Sequence, residues 1–365
     1  MLRFPVAVIL AVSTVVGMAV PANAEQGLTA GSVKLQSLGP MAFAENGVLL
    51  VGDPKAATVY AISVANDSTP PAEFAINVAD VRLAIGDKVG SAAGDIVIGD
   101  LAVDPQSKTI VVSAESKGQF HLLQVGADGE LTSIDLQNVV HAAKALPDPP
   151  ADEITGQGRR QKNLRMESIT DIAFFDGKVM VSGVSATESP SNVMEFSFPF
   201  SDNSIVTHVQ IYHAAHGRVE EPTIRTFVPM TIDGEATLLA GFTCTPLVRF
   251  PIESLGSKET VRGTTVAELG NWNSPIDLIT YEKDGRSTLL MSNTARGVMK
   301  ISTDDIQNAT GLTQRVANGG TAGQPFETIA AFDGVTQMDK LSDSQAIVVI
   351  GKSDEVQRLV VMDLP

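Results

Sequence analysis

What most narrows the fold of this chain is a unit of strand, tight turn and strand that recurs six times. It runs over Met41–Val51 through Asn46-Gly47, Leu101–Val112 through Asp104-Pro105, and Ile172–Val181 through Asp176-Gly177. The later three run over Phe227–Leu239 through Asp233-Gly234, Leu278–Leu290 through Asp284-Gly285, and Met338–Val349 through Asp343-Ser344. Asn-Gly and Asp-Gly between apolar strands mark type I′ hairpins, because both central residues of that turn need positive φ. The turns recur at intervals of 58, 72, 57, 51 and 59 residues. Such an interval holds four short strands and a loop, and four-stranded sheets repeated radially are propeller blades. The fold class expected is all-β, a six-bladed β-propeller, with seven blades as the alternative if the 72-residue interval hides a degenerate unit.

Third strands are predicted at Thr58–Ser63, Phe120–Val125, Val193–Phe198, Leu247–Phe250, Val298–Ile301 and Leu359–Met362. Fourth strands are predicted at Glu73–Val78, Leu131–Leu136, Val206–Tyr212, Thr264–Leu269 and Leu312–Val316. The sixth unit has none. Val33–Leu38, at the mature N-terminus, is expected to fill that place beside Leu359–Met362 and close the ring, leaving no open sheet edge. Val78–Ile85, stopped by Gly86, and Asn138–Leu146, stopped by Pro147, have helical spacing and are expected as two short insertions on one rim.

Arg3, the apolar run Phe4–Val20 and Ala22-Asn23-Ala24 have the order of a secretory signal peptide over residues 1–24, leaving 25–365 as one β-propeller domain. The expected localisation is periplasmic or secreted. Stable membrane insertion after cleavage is not expected, and Glu25 stands where a lipoprotein needs cysteine. Removing the leader leaves 25 Lys and Arg against 42 Asp and Glu, a net charge of −17, which disfavours nucleic acid and anionic membranes as partners. With Cys244 as the only cysteine, stability must come from packing and closure rather than disulfides.

In a propeller, the loops that enter each first strand share a face with the loops joining second and third strands, opposite the tight turns. The entering loops carry Glu167, His213, His216, Glu220, Glu221, Asn271 and Asn273; the others carry Asp53, Glu115, Cys244 and Asn293. His213 and His216, followed by Glu220 and Glu221, offer nitrogen and oxygen ligands of the kind zinc takes, or they cap an interblade loop. No His-Glu-x-x-His motif supplies a catalytic base. A second set, Glu167, Asp171, Asn273, Asp277 and Asn293, offers oxygens suited to calcium at the channel mouth; Asp171 and Asp277 are equally well placed to bond backbone. The metal-ligand candidates are therefore Glu167, His213, His216, Glu221, Asn273 and Asn293, for a divalent cation, calcium or zinc. Cys244 is a nucleophile or a small apolar residue depending on its neighbours. The cations of Arg159–Arg165 form a docking patch or a solvated loop.

The stretches Tyr212–Glu221, Thr243–Pro251 and Val261–Asn271 resemble an uncharacterised family of bacterial exported β-propeller proteins, for which no activity or site is known. The layout of the oxygen set is similar to calcium-dependent six-bladed propellers of the senescence-marker and paraoxonase type. The function expected is ligand binding or protein interaction through the His/Glu/Asn face. The alternative is a calcium-type hydrolase of esters or lactones, so whether the chain is an enzyme stays open.

Overall fold

The computed structural model describes residues 27–365 except 66–69, 72, 159–160, 188 and 257–259. The expected leader, residues 1–24, lies outside the described residues, as do Arg159 and Arg160 of the basic run. Among the described residues no helix is long and apolar enough to cross a membrane.

The molecule is a six-bladed propeller. Its innermost strands are Met41–Phe43, Ile96–Val103, Asp171–Phe175, Ile224–Ile232, Pro275–Lys283 and Val335–Lys340, which define blades 1 to 6 in chain order. The turn signals act as the sequence implies: Asn46-Gly47, Asp176-Gly177, Asp233-Gly234 and Asp284-Gly285 all have positive φ at both residues. Second strands such as Val48–Asp53 and Ile110–Ser116 open on unbroken apolar runs and are buried along nearly their whole length because a blade is covered on both faces. Leu49 and Val51 face blade 2, while Val48 and Leu50 face blade 3.

The order of blades around the axis is not the order in the chain. Six hydrophobic clusters fill the six joints, and they join blades 1 and 2, 2 and 6, 6 and 5, 5 and 4, 4 and 3, and 3 and 1. Blade 1 thus sits between blades 2 and 3, and blade 2 closes against blade 6. Two fourth strands are exchanged to reach this arrangement. From blade 1 the chain runs past blade 2, where Ala75 N–H bonds Ala127 O, and pairs Asn77–Val78 with Leu359–Val360 as the outer strand of blade 6. After completing blade 2 it returns, and Val139–Ala145 pairs with Thr58–Ile62 as the fourth strand of blade 1.

This topology corrects four expectations. Glu73–Val78 is not the fourth strand of blade 1: only Asn77–Val78 is a strand, and it pairs with blade 6. The ring is not closed by the mature N-terminal strand: Val33–Leu38 is not a strand, because Val33 N–H bonds Leu136 O while Gln36 N–H and the Ser37 hydroxyl are held by the Asp53 carboxylate at 2.6 and 2.7 Å. Val33 and Leu35 instead fill the joint of blades 1 and 2. Asn138–Leu146 is not a helix, since the free edge of Thr58–Ser63 supplies ladder partners that outweigh the alanine-rich helical propensity. The fourth strand of blade 5 is Phe326–Thr328 rather than Leu312–Val316, which lies against blades 3 and 4 through Leu312 N–H to Thr265 O and Val316 N–H to Ala214 O.

The other expected helix forms, but over Val81–Val89: it runs through Gly86 and stops at Gly90, which takes the left-handed conformation, and it is capped by Asp80, whose carboxylate accepts from Leu83 N–H. It sits at the closing joint: Val81 N–H bonds Gln357 O, and Val81 and Ile85 are fully buried between blades 2 and 6. Ile85→Ala should therefore cost about 2–5 kcal/mol. Urea unfolding reads the loss, and hydrogen exchange should accelerate first in blades 2 and 6; uniform acceleration around the ring would show that the helix is not a local latch.

Candidate functional site

The innermost strands line an axial cavity of about 660 Å³. Four of them put an aspartate into it: Asp100, Asp171, Asp277 and Asp339. Each carboxylate ties its blade to the next, since Asp100 accepts from Met41 N–H at 2.6 Å, Asp171 from Phe227 at 2.6 Å, Asp277 from Met338 at 2.7 Å and Asp339 from Val103 at 2.6 Å. The second oxygens of Asp171, Asp277 and Asp339 accept from the following residues, Ile172, Leu278 and Lys340, at 2.6–2.8 Å. Two joints lack this strap, those from blade 1 to 3 and from blade 4 to 5, where Pro40 and Thr226 hold the corresponding positions.

The four carboxyls line the channel and are half-buried, walled in by protein. Burial raises Asp100 to about 6 despite N–H bonds from Met41 and Leu101. Burial likewise brings Asp171 to about 7 against the Phe227, Thr226 and Ile172 bonds, with the charge of Asp100 adding to the rise. Asp339 reaches about 7 by burial, assisted by Asp100 and opposed by Lys108. Asp277 lies well above the usual carboxylate range through burial and the charges of Asp100, Asp171 and Asp339. None of the four is in an ion pair among the described residues; at the turn end, Lys340 pairs with Asp343 at 2.9 Å.

A second group forms off the axis. The chain leaves blade 3 along Ser204–His213, turns through Ala214–Gly217 and returns as Arg218–Glu220, a hairpin that pairs Ile211 with Glu220 and His213 with Arg218. Alternation along the returning strand puts Glu220 on the same face as His213 and Glu221 on the other. Nδ1 of His213 and Nδ1 of His216 both meet Oε2 of Glu220, at 2.9 and 2.7 Å. The imidazole centroids are 3.9 Å apart and tilted by 40°. Burial raises Glu220, but hydrogen bonds from His216, Arg218 and His213 outweigh it and bring the group down to about 2. Burial lowers His213 against its bond to Glu220. Behind the turn, Glu268 accepts from Ala215 N–H at 3.0 Å and is raised by burial to about 7.

The six ligand candidates read from the sequence therefore separate. His213 and His216 come together, and their carboxylate is Glu220, not Glu221, which is held by Gln210 at 2.7 Å and Ser189 at 3.3 Å. Glu167 meets Lys162 and Thr223 at 3.4 and 3.3 Å. Asn273 and Asn293 are buried and bonded to each other at 3.1 Å, clamping the turn at Ala295, and neither lines the channel. Of the oxygen set, Asp171 and Asp277 reach the channel and bond backbone there. Cys244 is half-buried in a left-handed turn with φ 66° and does not join the histidine group. The entering loops of blades 3, 4 and 5 also expose Met166, Val219 and Trp272, the last at 88%.

Asp100 and Asp339 do not stand out in the sequence, although a signal for Asp100 is present. The repeat units beginning at Leu101, Ile172 and Leu278 are each preceded by aspartate, so aligning the units one residue earlier finds three of the four. Asp339 lies inside its strand and has no such register.

No protein-family model matches the chain, and no curated protein is similar to it. The chain is similar in structure to an oxidoreductase of the glucose dehydrogenase type from Thermus thermophilus, with 13% identity, 93% of this chain and 100% of that one covered, and a TM-score of 0.37. It is also similar to Drosophila semaphorin 2a, with 8% identity, 93% and 75% covered and a TM-score of 0.44. A third is YCF48 from Cyanidioschyzon merolae, with 11% identity, 91% and 98% covered and a TM-score of 0.41. These likenesses concern fold alone, and the blades are established by the strand pairing itself. The resemblances to an exported propeller family and to the paraoxonase type rest on the sequence only.

Proposed function

We propose that this chain is an exported binding module whose axial channel takes a small organic cation. The observation that carries this is the set of four carboxylates in a cavity of about 660 Å³ with no cation paired to any of them among the described residues. A volume of that order suits a small molecule. Carboxylates held in a low-dielectric channel interact more strongly with an incoming ammonium than the same groups in water. Their bonds to backbone N–H fix them before the ligand arrives, so little ordering cost remains. The sequence from Arg3 to Ala24 supports export, and the exposed Met166, Val219 and Trp272 lie on the loops around the entry face.

The hydrolase alternative asks for Glu167, Asn273 and Asn293 beside Asp171 and Asp277. With those three engaged elsewhere, an oxygen cage for calcium has only the two aspartates from that set, and binding has the better support.

The test is calorimetric titration with putrescine, spermidine and calcium chloride, alongside thermal melts. An amine at 100 times its dissociation constant should add about 2.7 kcal/mol of stability. An ammonium in the channel draws the raised acids into their ionised form, so the Asp171→Asn/Asp277→Asn double variant, which removes two of the four groups able to ionise around it, should bind at least about tenfold more weakly. If no amine binds the wild type, or the double variant binds equally well, the channel is not the site. Binding of calcium alone would favour the hydrolase alternative.

A further inference from the structure

We propose that the hairpin of blade 3 holds a transition-metal ion of the zinc type on His213, His216 and Glu220. This site is separate from the channel and does not depend on the proposed function. The three residues offer donor atoms within 4.8 Å of one another, and they are the group of this kind among the described residues. Two imidazole nitrogens and one carboxylate oxygen are the donor set that a catalytic or ligand-accepting zinc uses, with a fourth position left open. Calcium and magnesium favour all-oxygen surroundings, so imidazole donors select against them.

The geometry without an ion is close to what an ion requires. A tetrahedral centre with bonds of about 2.0–2.1 Å sets its donors about 3.3 Å apart. The present separations from Glu220 Oε2 are 2.9 and 2.7 Å, so an outward shift of about half an ångström admits the metal. The hairpin tolerates this because His216 is 44% exposed and sits in the turn rather than the ladder.

Independent of that convergence is an unsatisfied buried polar atom in the same cluster. His213 is 2% exposed, yet its Nε2 has no hydrogen-bond partner, and neither does Oε1 of the fully buried Glu268 behind the turn. Buried polar atoms without partners are uncommon and cost free energy, and two beside one loop mark a site whose full complement is missing. A bound ion takes one imidazole nitrogen of His213 and places positive charge beside Glu220 and Glu268. Arg218, which now bonds Oε1 of Glu220, is mostly exposed, so it can leave without breaking packing. The group is open to solvent on the side of His216, which is 44% exposed. Water or a donor group from a partner can complete the sphere from there.

The experiment strips the purified full-length mature protein with a chelator and titrates it with Zn(II) against a chromophoric competitor, then with Co(II) as a spectroscopic substitute. One equivalent per chain and the intense visible absorption of four-coordinate Co(II) are expected. His216→Ala and Glu220→Gln should each weaken zinc binding by more than about tenfold. His213 is buried and its replacement can unfold the hairpin, so the exposed His216 carries the decisive variant, checked by its unchanged circular dichroism. Glu221→Gln, on the opposite face of the same strand, should bind zinc as the wild type does. Absence of stoichiometric zinc, zinc binding indifferent to His216→Ala, or an octahedral Co(II) spectrum would overturn the assignment.

Discussion

Moving this protein from pH 5 to pH 8 should lower its stability by at least about 3 kcal/mol, the reverse of what a large excess of ordinary surface carboxylates produces. In the unfolded chain these acids lose their protons near pH 4. In the native channel Asp100 keeps its proton to about pH 6 and Asp171 and Asp339 to about 7, while Asp277 is held well above its ordinary range. Across that window the native state binds more protons than the unfolded state, so stability is fully present below the unfolded value and is lost as pH rises through the folded ones. Glu268, raised by burial, acts in the same direction. Its neighbour His213 acts in the opposite one, because it is held neutral by burial and charges on unfolding below its ordinary value. His121, likewise lowered by burial, adds to it, and two histidines do not offset four channel carboxyls. Lys108 opposes the rise of Asp339 without pairing with it, and Lys340 is paired with Asp343 at the turn end. Taking one raised acid at about 1.4 kcal/mol per tenfold change in proton affinity, and discounting for channel water, leaves the figure given. Denaturant melts at pH 5, 6.5 and 8 read it directly. The Asp171→Asn/Asp339→Asn protein should show a flatter profile, and a wild type whose stability climbs from pH 5 to 8 would mean that the channel carboxyls ionise as surface groups do.

The architecture is legible where it is local and illegible where it is not. Asp176-Gly177, Asp233-Gly234 and Asp284-Gly285 fix hairpins by backbone conformation alone, so strands within blades follow from the chain itself. Which blade receives an outer strand depends on partners far away in sequence. Asn77 and Val78 carry no mark of belonging beside Leu359 rather than beside Thr58–Ser63, and only two residues make that ladder. Val139–Ala145 reads as helix because alanine content is a local signal and the vacant edge of blade 1 is not. The same division holds for the site. His213 and His216 stand out by residue type, whereas choosing Glu220 over Glu221 requires knowing that the segment is a hairpin in which neighbouring residues face opposite sides. Position in the repeat is enough to place Asp171 and Asp277 at the starts of inner strands; their convergence with Asp100 and Asp339 depends on ring closure in an order the chain does not spell out.

The channel aspartates make two separable contributions, and Asp277 is where they can be told apart. As an acceptor, Asp277 satisfies Leu278 N–H within its own blade and Met338 N–H across the joint to blade 6. As a charge, it suffers the nearby Asp100, Asp171 and Asp339. Asp277→Ala removes both roles and leaves two N–H groups dependent on channel water, at about 1–3 kcal/mol each if water does not reach them. A net loss of about 2–4 kcal/mol is expected at pH 5, where the native carboxyl is already neutral and no repulsion is relieved. Asp277→Asn keeps a carbonyl for Met338 and discards the charge, while its NH2 group replaces the oxygen that accepts from Leu278 N–H within the blade. At pH 5 it should lie within about 1 kcal/mol of the wild type, and at pH 8 it should be the more stable of the two. The crossing of the Asn and wild-type curves between those values, with the Ala curve below the Asn curve throughout, is the pattern that a strap built from a reluctant acid produces. Hydrogen exchange at the Met338 amide adds a local readout: protection should survive in Asn and fall in Ala. Equal losses for Asn and Ala at pH 5 would mean that the carboxylate, not the acceptor oxygen, holds blades 5 and 6 together.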